Sequence, residues 1–463
     1  MGELIKENCG FCVANNLHDA HKLLRGVQHR GQEAAGLGVK HSGGIDSIKW
    51  TGYVTDFSLE DILKLLHGEY YEGHVRYSTS GSKDTLLRDA HPHVIGGTVS
   101  SYPEHILTRN SIAACVHNGT ICYDNLACST DSLKTDCDTE AFLHLYKKIG
   151  IEQLMKEIPG AYSSAILDAD LKGPLVFRDR FGVRPCWIGE KDGKYIAASE
   201  DFAITEIGGR PIRELGPGEI AYLSGGTFRT ESIVEPIPRF CFFELNYLMD
   251  HDSTHDGTKA WDIRYALGKQ LAEEFRPGDA DMVTYIPHCP KPYTMGYGEE
   301  ARIQFQDIFY KKKEHERSFM RSKQEQRQDS ISSNLYLRDN LDIKGRVIIV
   351  IDDSIVRGTV IEDGVSKCLK AGAKKIYWLL GTPPVGEIVD DIPRGCLFGV
   401  DMPPNDNFII RKHGTPAGIA SYSGAAEVYY ISKNGMFDAY TKRGLDKGEF
   451  CTYCIGGPHP FNS

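Results

Sequence analysis

One run most constrains the fold of this chain: "RVIIVIDDSIVRGTV", from Arg346 to Val360. Val347 to Ile351 are consecutive β-branched residues. Such a run reads as a strand buried on both faces, the kind found in a parallel sheet covered by helices. Two aspartates stand at its C-terminal end, where open α/β sheets bind their ligands. A turn then places hydroxyls at Ser354 and Thr359 around Gly358, ahead of a helix. Amides at a helix N-terminus with hydroxyls beside them suit a phosphate monoester. Asp352 and Asp353 repel phosphate, but they can accept hydrogen bonds from sugar hydroxyls or face Mg²⁺. A plain surface turn accounts for the strand and the glycine. It does not account for paired carboxylates beside a phosphate-type turn.

The flanks repeat the pattern. "AWDIRYALGKQLAEEF" reads as a helix, "MVTYIPH" as a strand, "IEDGVSKCLKAG" as a helix and "KIYWLLGTP" as a strand, so the second half predicts a mostly parallel α/β sheet. The first half differs. "AGLGVK", "SIAACVHNGT", "AYSSAILDAD", "GPLVFRDR", "KYIAASE" and "GEIAYLSGGTFRTESI" read as strands. "LHDAHKLLRGVQ" and "DTEAFLHLYKKI" read as amphipathic helices. Many strands with few helices predict sheets packed together with helices outside. The two prolines of "EPIPRF" mark the break, so the expected division is a leader over 1–8, one domain over 9–235 and a second over 236–463. The stretch from Lys311 to Arg338 is highly charged and reads by itself as a solvated helix or loop.

Composition narrows the function classes. A length of 463 residues predicts two or three domains, and 41% apolar with 25% charged residues is the balance of a globular protein. A net charge of −10 argues against nucleic acid or an anionic membrane as partner. No apolar run reaches membrane length, and the N-terminus has no secretory core. Thirteen cysteines in that setting predict a reduced, cytoplasmic environment in which cysteines are buried, metal-bound or catalytic.

"ENCGFC" raises a question about Cys9. With Cys12 it matches a redox pair, but a redox Cys-x-x-Cys belongs in a thioredoxin-like setting, which the neighbouring pattern lacks. Taken alone, Cys9 would be a buried thiol.

With "IDDSIVRGT" in the second half, this chain resembles the amidophosphoribosyltransferases, which join a glutaminase to a type I phosphoribosyltransferase. Cys9-Gly10, "QHRGQE", "GHVRYSTSG", "VHNGT", "DCDTEAF" and "RDRFGVRP" resemble that family's landmarks in order and at comparable spacing, from Cys9 to about Pro460. The resemblance implies an N-terminal-nucleophile hydrolase αββα sandwich (α+β), followed by an α/β phosphoribosyltransferase domain. It implies glutamine hydrolysis at Cys9, with Asn118 and Gly119 as the oxyanion hole. Arg76 would hold the glutamine carboxylate, Asp138 its ammonium, and Arg30 would shape the pocket. Phosphoribosyl pyrophosphate (PRPP) would lie on Asp352, Asp353, Ser354, Arg357, Gly358 and Thr359, with Mg²⁺ on the two aspartates and on Cys289. The chemistry is consistent: a cysteine made first by removal of residues 1–8 has its own α-amine as base, titrating at about 7.7–8.0.

The resemblance also implies a 4Fe–4S cluster on Cys241, Cys396, Cys451 and Cys454. Four thiolates alone would equally take zinc. It implies purine nucleotides as inhibitors and a homo-oligomer, dimer or tetramer. The expected reaction is glutamine-dependent formation of 5-phosphoribosylamine from PRPP. The alternatives are a glutaminase serving another acceptor, or a regulatory paralogue that binds PRPP or a nucleotide. Those alternatives draw on departures from the family pattern. "IPHCPKP" puts His288, Cys289 and Pro290 where the family has Asp, Ser and Gly. Ser333 and Asn334 stand where an Arg-Lys-type pair is common, and "DAHPHV" puts Asp89 and His91 where the family has Asn and Gln.

Overall fold

The computed structural model describes residues 9–77, 85–121, 133–135, 137–224, 226–287, 289–311, 334–339 and 341–461. The leader, His288 and Ser333 lie outside them, as does most of the charged stretch that follows Lys311.

The first half forms one continuous ladder of thirteen strands rather than two separate sheets. It runs from the edge strand Arg210–Glu214 through Trp187–Lys191 and Lys194–Ala198 to Gly10–Ala14, the strand that follows Cys9. It continues through Tyr70–Arg76, Ala34–His41 and Gly44–Thr51 to the long strand His105–Ile121. Gly160–Asp168, Leu175–Arg178, Glu219–Ser224 and Thr227–Ser232 complete it, and His93–Ser101 pairs beside His105–Ile121. The ladder folds over on itself, so that Gly10–Ala14 and Tyr70–Arg76 face His105–Ile121 and Gly160–Asp168. Phe11, Val13, Val116, Ala165, Val176 and Ala197 fill the space between the halves. Helices Leu17–Gly26 and Asp201–Glu206 cover one outer face, and Asp138–Ile149 with Ile151–Glu157 the other. The layers are the αββα order expected, joined by hydrogen bonds at one corner.

The second half carries a four-stranded, all-parallel sheet in the order Met282–Tyr285, Val347–Asp352, Lys375–Leu380, Glu427–Tyr430. The run "VIIVID" is buried at every position, as continuous β-branched residues at the centre of a parallel sheet must be. Its core extends across the chain's midpoint and takes in Ala161, Phe181 and Val183 of the first half. Among the described residues, no helix is long and apolar enough to cross a membrane.

Candidate active sites

Cys9 immediately precedes its strand and is partly exposed, while Cys12 lies on the strand and is buried. Their thiols part company: Cys9 Sγ donates to the Tyr77 carbonyl at 3.5 Å, and Cys12 Sγ to the Ala20 carbonyl at 3.5 Å. Successive side chains of a strand alternate sides, so a spacing of three sends the two sulfurs apart. That geometry disposes of the redox pair. Burial pushes the Cys9 thiol up, against the positive charges of Arg76 and Arg30, with Asp138 adding to the rise. The thiol thus keeps its proton until a base removes it.

The strand His105–Ile121 brings the oxyanion candidates opposite. Asn118 is 1% exposed, and neither its Nδ2 nor its Oδ1 has a hydrogen-bond partner among the described residues. Leaving such an amide unpaired costs roughly 1–3 kcal/mol, and a buried unpaired amide on the strand facing the one that Cys9 precedes suits a developing oxyanion. Gly119 has φ +136°, and a Cβ there would meet the Ala161 carbonyl at 1.9 Å, so only glycine passes. Asp138 opens helix Asp138–Ile149 and is pinned to the same strand, accepting from Ile121 N–H at 2.9 Å. Arg76, at the end of Tyr70–Arg76, is buried and donates to the Leu86 carbonyl at 3.0 Å. Cys9, Asn118, Gly119 and Arg76 therefore come from strands that pair or face one another, or from the residue just before one, and Asp138 joins them from the helix pinned to Ile121.

Arg30, expected to shape the glutamine pocket, is tied to the nucleophile's own backbone. Its Nε donates to the Cys9 carbonyl at 3.1 Å, and its two terminal nitrogens pair with Glu200 at 2.5 Å and Glu244 at 2.8 Å. Its guanidinium thus holds two buried carboxylates and the nucleophile's backbone carbonyl together. Burial alone would raise Glu200, but His29 and Arg30 hold it well below the carboxylate range. Glu244 also pairs with Arg184 at 3.1 Å, and Arg184 donates to the Phe398 carbonyl. A buried chain thus runs from Cys9 through Arg30, Glu244 and Arg184 to the segment carrying Cys396. Glu244 and Arg184 stand inside "CFFELNY" and "RDRFGVRP", but nothing local pairs them.

Asp352 and Asp353 sit at the C-terminal end of the central parallel strand and are buried. Burial, then the neighbouring Asp353, raises Asp352 well above the carboxylate range. Burial also pushes Asp353 up to about 6, with the Ser354 hydroxyl and Lys311 opposing. Ser354 Oγ donates to Asp353 at 2.8 Å, and Thr382 Oγ1 donates to the Asp353 carbonyl at 2.9 Å. Gly358 caps helix Thr359–Lys370 with φ +95°, where a Cβ would strike Ile409 Cδ1 at 2.3 Å. Arg357 pairs with Asp401 at 3.3 Å. Cys289 Sγ donates to the Asn246 carbonyl at 3.3 Å. A thiol so engaged is a poor ligand for Mg²⁺, which takes oxygen.

Cys241, Cys396, Cys451 and Cys454 line one small cavity with Val183 and Arg184. Strand pairing sets Cys241 beside Cys451, and Cys396 Sγ accepts from Phe398 N–H at 3.3 Å and Val400 N–H at 3.4 Å. Burial and the neighbouring thiols raise Cys454 well above the thiol range, and burial pushes Cys241 up to about 12.

Comparison with known proteins accords with this geometry. Residues 106–206 match the model of the glutamine amidotransferase domain. The amidophosphoribosyltransferase of Archaeoglobus fulgidus is 30% identical over 457 residues, covering 95% of this chain and 94% of its own. That of Mus musculus is 28% identical over 532 residues, covering 98% of each. The solved glutamine PRPP amidotransferase from B. subtilis, complexed with ADP and GMP, superposes with a TM-score of 0.82 at 26% identity, covering 98% of this chain and 97% of that one. With 30% identity sustained along nearly the whole of both chains, this chain belongs to the amidophosphoribosyltransferase family.

Proposed function

We propose that the chain makes 5-phosphoribosylamine from PRPP and glutamine, the first step of purine biosynthesis, through the residues described above. The observation that carries this reading is the Asn118 amide, buried and unpaired on the strand facing the nucleophile's. Removal of residues 1–8 frees the Cys9 α-amine, which takes the thiol proton. The thiolate attacks the glutamine side-chain carbonyl, and the oxyanion forms against Asn118 Nδ2 and the Gly119 N–H. Arg76 holds the substrate carboxylate and Asp138 its ammonium. Ammonia leaves, and water releases glutamate from Cys9. At the second site ammonia displaces pyrophosphate from C1 of PRPP.

There Asp352 and Asp353 accept from the ribose hydroxyls, and the turn from Ser354 to Thr359, with Arg357 and Gly358, holds the 5′-phosphate. The two aspartates suit Mg²⁺, which supplies positive charge for the departing pyrophosphate. Cys289 is left out of the Mg²⁺ set for the reason given above.

The four cysteines suit a 4Fe–4S cluster, which supplies a covalent tie between the Cys396 segment and the C-terminus. Four thiolates would hold zinc as well, and it is the resemblance of all four positions to the family's that favours the cluster. The eleven described cysteines are all free, which supports a reducing, cytoplasmic setting. Purine nucleotides as inhibitors and a homo-oligomeric state complete the reading; the B. subtilis relative was solved with ADP and GMP.

The test is an assay of phosphoribosylamine formation from PRPP with glutamine or with ammonia. Both donors should support it, and Cys9→Ser should abolish the glutamine reaction alone. Intact mass of active protein should show residues 1–8 missing. Glutamine hydrolysis without any PRPP turnover would instead assign the chain as an ammonia supplier.

A further inference from the structure

Behind the glutamine site lies a buried group that the reaction does not use. His74, His91, His93 and His117 are each under 5% exposed. The ring of His91 stacks on His74 at 4.0 Å and meets His93 edge-on at 4.8 Å. His91 Nε2 bonds the Thr139 hydroxyl at 2.8 Å, and its buried Nδ1 has no partner among the described residues. His93 Nε2 bonds the Asp89 carbonyl at 3.2 Å, which leaves Nδ1 as its remaining donor atom. Cys137 stands opposite, at the N-cap of the helix that begins with Asp138. One ligand atom from each of His91, His93 and Cys137 lies within 4.8 Å of the other two, a trio found nowhere else among the described residues.

We propose that His91, His93 and Cys137 bind a divalent transition-metal ion of the zinc class, with the fourth position left to solvent, and so tie the 89–93 segment to the helix that carries Asp138. Two imidazoles and a thiolate form a zinc donor set. Each imidazole has its other nitrogen fixed by a hydroxyl or a carbonyl, the outer arrangement that orients metal-binding histidines. Burial holds His91 and His93 well below the usual range, so both are the neutral ligating form. The Cys137 thiol is pushed up to about 12 by burial and by Asp138, so the ion must displace its proton on binding. The charges around the trio have both signs. Lys49 and Arg76 oppose a cation, and Asp89, Asp138 and Glu140 favour it. Packing alone gives no account of the buried, unpartnered His91 Nδ1. The trio touches neither the nucleophile nor the PRPP site, and it borders the glutamine site at one point: the Cys137 thiol donates to the Asp138 carboxylate at 3.7 Å and to the Thr139 hydroxyl at 3.5 Å, contacts that the ion would replace.

The test uses the full-length protein, purified anaerobically and titrated with Zn²⁺ and with Co²⁺. Wild type should bind one more ion per chain than His91→Gln/His93→Gln, whose affinity for that ion should fall roughly 100-fold or more. Zinc should raise the melting temperature of wild type only. Co²⁺ should give wild type a thiolate-to-metal absorption that Cys137→Ser lacks. The difference between wild type and Cys137→Ser separates this signal from that of the four-cysteine group. Equal stoichiometry and affinity in wild type and the double-histidine variant would overturn the site. So would a cobalt thiolate band unchanged in Cys137→Ser. Should the double variant fail to fold by circular dichroism, Cys137→Ser decides by itself.

Discussion

Asn118 combines complete burial with two unpaired polar atoms, which folding does not reward but an oxyanion would. Asn118→Ala should lower glutaminase kcat about 10²–10³-fold with KM little changed, and should leave ammonia-dependent activity intact. Steady-state kinetics with each donor checks this. Asp352 and Asp353 make the same trade between stability and function. Both are raised in the folded state, Asp353 to about 6. A carboxyl raised on folding binds more protons in the native than in the unfolded chain across the interval between its two pKa values. Stability therefore falls as pH rises through that interval, from about 4 to 6 for Asp353. Asp352→Asn/Asp353→Asn should flatten this loss and be more stable at pH 7 by about 1–3 kcal/mol, while losing PRPP binding. Denaturant unfolding across pH 4–7, with calorimetry for PRPP and Mg²⁺, reads both outcomes.

Among the elements, the turn before helix Lys291–Ala301 carries the "IPHCPKP" run. Pro290 occupies the N-cap, and its carbonyl accepts from both Thr294 N–H and Thr294 Oγ1 at 3.0 Å. The helix needs no N–H from that residue, so proline costs the helix nothing. Proline has no N–H, so this turn offers one amide fewer to a pyrophosphate bound there. Cys289→Ser/Pro290→Gly should restore it and tighten PRPP binding about tenfold, the yield of one recovered hydrogen bond to a charged group. Calorimetry in Mg²⁺ measures the change, and unaltered affinity would place pyrophosphate elsewhere. Most elements were legible before the fold was seen. "VIIVID" is a strand, "DTEAFLHLYKKI" a helix, and "GEIAYLSGGTFRTESI" the hairpin of Glu219–Ser224 and Thr227–Ser232, because their apolar spacing is local. The fourth parallel strand, Glu427–Tyr430, carries only a short "EVYY" and becomes a strand through its pairing with Lys375–Leu380.

For the whole molecule, the buried chain Cys9–Arg30–Glu244–Arg184 joins the two halves. Glu244→Gln leaves both arginines buried without this counter-charge. It should destabilise the protein by about 3–5 kcal/mol in denaturant unfolding. Glutaminase activity should fall more than ammonia-dependent activity, because Arg30 also holds the Cys9 carbonyl. The sequence by itself determined the residue types at each site and the local elements that present them. A cysteine before a strand, paired aspartates at a strand end and a glycine at a helix start are written in contiguous residues. Tertiary structure alone decided the partners of Arg30 and that the first-half sheet closes into one ladder. The partners of Arg30 lie 170 and 214 positions away. Pairs so distant leave no periodicity in the chain, and only packing, which excludes water and requires every buried charge to be matched, brings them together.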